Sequence, residues 1–121
     1  MQSAAQAYGA VAKQIVNPRE LEADLLLKAA SRLQTIHDSW EQRRPDLDEA
    51  LLYNRKLWSI FLTSVTSAEH PLPVAIRQNV ADLGLFVMNQ TVAMMNNPQR
   101  EHLDSLISIN RELAAGLLGR A

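Results

Sequence analysis

The residues able to do chemistry are few and scattered. The chain has three histidines, His37, His70 and His102, and no cysteine. Without a thiol there is no disulfide, no thiolate nucleophile and no thiolate metal site, which fits a reducing compartment. His37 has Glu41 one helical turn further on, a spacing that can aim two ligands at one metal. A metal needs several converging donors, and neither His70 nor His102 has a partner at helical spacing. His37 therefore reads as a solvent-facing histidine. The acids Asp46, Asp48 and Glu49 have a sufficient role at the positive end of a helix. Glycines stand at 9, 84, 116 and 119, too dispersed for a phosphate loop. No serine has a matching histidine and acid. We expect no catalytic residue, no cofactor and no metal, and hence not an enzyme.

Charge narrows the partners. The net charge is −1, and the basic doublets are Arg43-Arg44 and Arg55-Lys56. Nucleic-acid binders draw most of their affinity from clustered Lys and Arg on phosphates. No such cluster exists here, so direct nucleic-acid contact is not expected. No run approaches the ~20 apolar residues that span a bilayer, so no membrane insertion is expected. Residues 1–16 lack the charged start and apolar run of a signal peptide. The chain reads as cytoplasmic.

The elements that must position any site all read as helices. The segment 3–16 carries a weak stripe of Ala4, Tyr8, Val11, Ala12 and Ile15. Short and alanine-rich, it needs a surface to lie on, and residues 1–16 read as a mobile N-terminal helix. A second helix opens at Asn17-Pro18-Arg19-Glu20, with a cap, a proline at the first position and a capping-box acid. Its stripe is Leu21, Leu25, Leu26, Ala29, Leu33, Ile36 and Trp40, and Arg43-Arg44-Pro45 ends it. A capping-box pattern at Asp46-Leu47-Asp48-Glu49 opens the third helix. There Leu47, Leu51, Asn54, Trp58, Phe61, Leu62 and Val65 share one side. His70-Pro71-Leu72-Pro73 breaks the chain before a fourth helix, which Asn96-Asn97-Pro98 ends. A fifth helix follows, with Leu103, Leu106, Ile107, Asn110, Leu113, Ala114 and Leu117 aligned. The expected fold is all-α: one domain over 1–121, a bundle of about five helices, mostly antiparallel because the connections are short.

The fourth helix is the informative one. From Leu83 to Asn97 it carries no charge, and between Pro71 and Asn97 the charges are Arg77 and Asp82. Its apolar residues form two opposed stripes. One is Ile76, Val80, Leu83, Val87 and Met94; the other is Val74, Ala81, Leu85, Met88, Val92 and Met95. A surface helix needs only one stripe. Two stripes mean cover on two sides. The blander reading is a central helix wholly inside the domain; the sharper one is a second side that faces a partner. The methionines suit the sharper reading, because flexible thioethers adapt to varied helical ligands. The candidate partner surface is Leu85, Met88, Val92 and Met95. It is joined by Tyr53 and Ile60, which lie off the main stripe of the third helix. Asn54 and Asn110 interrupt apolar stripes, where an unpaired polar group is costly. They read first as a wet core edge or a water-bridged pair, and second as a register-fixing contact or a bond to a bound chain.

Several runs resemble the FlaF family of flagellar biosynthesis regulators. They are Asn17-Pro18-Arg19-Glu20-Leu21-Glu22 through Leu33, Asp48-Glu49-Ala50-Leu51 and Leu72-Pro73 with Arg77-Gln78-Asn79. The most specific run is Leu52-Tyr53-Asn54-Arg55-Lys56-Leu57-Trp58. The resemblance extends from about Tyr8 to Leu117. It implies a cytoplasmic factor that binds flagellin as a secretion chaperone or adaptor and supports flagellin synthesis and export. The alternative it implies is a post-transcriptional regulator acting on flagellin mRNA through a partner regulator, FlbT. Nothing in the sequence sets the oligomeric state.

Overall fold

A computed structural model describes residues 18–67 and 72–119. The expected N-terminal helix, the Asn17 cap and His70 lie outside the described residues. Among the described residues 90% are helical and none is in a strand. The elements are α1 (Pro18–Asp38), α2 (Trp40–Arg43), α3 (Leu47–Val65), α4 (Val74–Asn96) and α5 (Leu103–Leu117). Single turns of 3-10 helix, Arg44–Asp46 and Arg100–His102, lead into α3 and α5.

The sequence patterns explain most of these bounds. Pro18 opens α1, where its missing N–H is no loss. The expected second helix is split at Ser39, whose backbone (φ −126°, ψ 50°) leaves the helical region, so Trp40 belongs to a separate turn. The capping box expected at Asp46 does not form. Asp46 already has helical backbone angles and makes no side-chain cap. Its carboxylate instead lies 3.6 Å from Arg43.

Packing begins with α1 against α5, the most extensively packed pair of helices among the described residues. They run antiparallel: Arg100 Nε donates to the His37 carbonyl, while Asn110 Nδ2 reaches the Leu26 carbonyl. α3 lies antiparallel to α1, with Arg32 over the Tyr53 ring at 4.8 Å and 3.7 Å from Glu49. α4 folds back along α3 and touches α5 only lightly. Leu26, Leu33, Leu51, Trp58, Leu103 and Leu106 are fully buried at the centre. Burial of such side chains contributes about 1.5–3 kcal/mol each.

The two asparagines are not at a wet edge. Asn54 and Asn110 have no exposed surface. Trp58 Nε1 donates to Asn110 Oδ1 at 2.9 Å, and Asn110 Nδ2 donates to Asn54 Oδ1 at 2.8 Å and to the Leu26 carbonyl at 3.3 Å. An indole N–H can only donate. It fixes which side of the Asn110 amide faces Trp58, and Asn110 then fixes which side of Asn54 faces it. The Asn54 Nδ2 has no partner among the described residues, a cost that the paired atoms around it offset. The second of the two expected readings applies: a contact that sets the register of α1, α3 and α5.

Two devices hold α4 on α3. Arg77 donates from Nε to the Leu72 carbonyl, and from Nη1 to the carbonyls of Val65 and Ser67, gathering the chain end of α3. Gly84 is buried against Leu62, where a Cβ would collide with the leucine side chain. The glycine is what lets the two helices approach so closely.

Candidate functional site

The fourth helix is not central. Its buried line is Val80, Gly84, Val87, Thr91 and Met94. Thr91 satisfies its hydroxyl on the Val87 carbonyl at 2.7 Å, so it can sit on the apolar side. Arg77, Ala81, Met88, Gln90 and Met95 are half-buried beside that line, and the rest of α4 faces outward. Among the described residues the large exposed apolar side chains are Leu52 and Ile60 on α3 and six on α4. Those six are Val74, Ile76, Leu83, Leu85, Phe86 and Val92. Contiguous exposed apolar patches commonly mark contact sites.

Helical geometry sorts the six into two flanks. At about 100° per residue, Val74, Leu85 and Val92 lie almost in line, about 120° round from the buried line. Arg77 and Ala81 sit between, and with Val65, Thr66, Val74 and Gln78 they line a hollow of about 190 Å³. This flank therefore borders α3. Ile76, Leu83 and Phe86 lie on the opposite side. Gln90 falls among them and reaches the His102 carbonyl at 3.5 Å, so that flank borders α5.

The expected partner surface is thus only partly brought together. Leu85 is 62% exposed and Val92 50%, while Met88 and Met95 are half-buried beneath them against the core. Tyr53 and Ile60 do not join them. Tyr53 is half-buried under Arg32 of α1. It is nine residues from Leu62, which puts it half a turn away from the side of α3 that meets α4. Ile60 is 62% exposed on that same far side. The first stripe also divides: Val80, Val87 and Met94 are buried, but Ile76 and Leu83 are 46% and 38% exposed. Leu52, which is 47% exposed, stands apart from Tyr53 and Ile60, round towards the α4 side of α3 by helical geometry.

The titratable groups do other work. His37 is not simply solvent-facing. Its Nε2 is 3.1 Å from Asp104 and its Nδ1 3.2 Å from Asp38, with the side chain 20% exposed. The imidazole pins the end of α1 to the start of α5. Hydrogen bonds from His37 and then Gln34 hold the Asp38 carboxyl below its ordinary value. Among the described residues no three His, Asp or Glu side chains converge as a metal would need. A second hollow, beside Arg32 and Arg43, has each cation facing an acid, Glu49 and Asp46. No described helix is long and apolar enough to cross a membrane.

The comparisons with known proteins add one finding. A family model described as "Flagellar protein FlaF" matches residues 4–117, nearly the whole chain. No curated protein and no solved structure matches it.

Proposed function

The chain belongs to the FlaF family of flagellar proteins, and from that premise we propose that it is a non-catalytic holder of flagellin. It binds flagellin in the cytoplasm as a secretion chaperone or adaptor, and so supports flagellin synthesis and export. The observation that carries this reading is the α3-side flank of α4: Val74, Leu85 and Val92 exposed over half-buried Met88 and Met95. An amphipathic helix lays its apolar side into such a surface with anchors at i, i+3, i+4 and i+7. Leu85 and Val92 are themselves seven apart and present the matching spacing. Methionines beneath them let the surface adapt to its ligand. The flank has no charge between Leu83 and Asn97, so a bound helix desolvates no ion there.

The test is co-purification. The protein and flagellin are produced together, treated with nuclease and isolated through a tag on either one. A stoichiometric complex that survives nuclease is the expected result. Truncated flagellins then identify the bound segment, expected to be a terminal helix. Retention of RNA with no flagellin would overturn the reading in favour of an mRNA regulator acting with FlbT.

A further inference from the structure

On the premise that the protein holds flagellin, we propose that the helix it takes carries a carboxylate beside its apolar stripe, and that Arg55 of α3 is the cation that pairs with it. The site is the groove between α3 and the neighbouring flank of α4. Its α4 wall is Val74, Leu85 and Val92. Its α3 wall follows from the hollow at one end, where Thr66 shares a lining with Val74, Gln78 and Ala81. Ser59, Arg55 and Leu52 stand about two, three and four helical turns back from Thr66, which keeps them within about 40° of its line. All three are exposed.

Arg55 stands level with the apolar part of the α4 wall. Leu62 meets Gly84, and α4 folds back along α3. About two turns back from Leu62 is Arg55, and about two turns on from Gly84 are Thr91 and Val92. Among the described residues Arg55 forms no ion pair, no hydrogen bond and no ring contact. The acid on the same line of α3 is Asp48, about 10 Å further along. It sits in the first turn of α3, where the helix dipole favours it. Arg77, at the other end of the groove, is engaged with three carbonyls. The α4 wall brings no charge between Leu83 and Asn97. Among the described residues the middle of the groove thus holds a cation and no acid.

That asymmetry states what the occupant must bring. A helix laid over Leu85 and Val92 strips water from Arg55 as well. A cation taken out of water without a partner is costly, and a carboxylate beside it offsets the cost. The guanidinium fork fits a carboxylate through two parallel hydrogen bonds, a match that a lysine lacks. A helix with Lys or Arg at that place is repelled, so Arg55 discriminates among helices whose apolar stripes are alike. Asp48 repels the carboxylate that Arg55 attracts, and together they fix the register of the docked helix.

The probe is flagellin, titrated against the full-length protein, Arg55→Gln, Arg55→Glu and, for reference, Leu85→Glu. Arg55 is exposed, so both of its variants should melt with the parent. Arg55→Gln should weaken binding about two- to fivefold and flatten its dependence on salt. Arg55→Glu should weaken it about tenfold, since two carboxylates then face each other. Acids of the bound flagellin segment are next changed to Arg one at a time, and one such change should restore binding to Arg55→Glu. Parent-like binding by both Arg55 variants, with binding lost in Leu85→Glu, would overturn the role of Arg55 and leave the flagellin reading standing. Loss in the Arg55 variants with Leu85→Glu unaffected would put the ion pair outside the groove and overturn the proposal as well. A parent protein that does not bind flagellin would overturn both readings.

Discussion

The α1–α3–α5 core and the α4 surface break the usual pattern of polar outside and apolar inside in opposite directions. The core buries two asparagines and an indole N–H and satisfies them with one another. Helix α4 exposes six large apolar side chains and covers them with nothing that the described helices provide. A buried polar network that is satisfied specifies one arrangement of its helices. An exposed apolar flank specifies nothing by itself and gains its meaning from what lies on it. The first region specifies the fold; the second is the surface through which we propose that the protein binds flagellin.

The comparison breaks most visibly at Asn110. Asn110→Ala removes the acceptor for Trp58, the donor for Asn54 and the donor for the Leu26 carbonyl at once. Stranded polar groups and a new cavity should together cost about 3 kcal/mol, read as a lower midpoint in chemical denaturation. A loss under about 1 kcal/mol would show that water replaces the amide without penalty.

The joint between the two regions should show an intermediate effect. Gly84→Ala places a methyl group where the Leu62 side chain lies. Overpacking costs about 1–3 kcal/mol, partly offset by about 1 kcal/mol of improved helix propensity. A net loss of about 1 kcal/mol is expected, recovered when Leu62→Ala is added. Failure of the second change to rescue the first would mean that α4 does not approach α3 through this glycine.

The same contrast explains what the sequence revealed. The stripes of α3 and α5 were legible because charged residues outline them: Asp48, Glu49, Arg55 and Lys56 around one, Arg111 and Glu112 beside the other. Helix α4 has no such outline, and its buried line runs through Gly84 and Thr91, which hydropathy does not mark. Hydropathy therefore puts Ile76 and Leu83 in one stripe with Val80, Val87 and Met94, yet both are exposed. The choice between a central and a surface helix needed the position of α5. The asparagine pair was visible as two anomalies, but partners 56 residues apart cannot be matched from one sequence. Tyr53 was grouped with the α4 surface by exclusion from its own stripe, and Arg32, far away in sequence, is what claims it. The resemblance to the FlaF family was legible in the run from Leu52 to Trp58. Of that run only Asn54 and Trp58 are buried, and it lies wholly on α3.

The smallest expected change in stability carries the most information about function. Leu85 is 62% exposed and makes no part of the buried line. Leu85→Glu should therefore leave stability within about 0.5 kcal/mol of the parent, as surface substitutions do. The same variant should weaken flagellin binding by at least about tenfold, because a charge with no partner is then buried under the bound helix. Both quantities come from one preparation, by thermal melting and by titration with flagellin. An unchanged melting temperature with binding lost is the predicted result. Unchanged binding would contradict the account, and so would a collapse of stability showing that this flank is already interior.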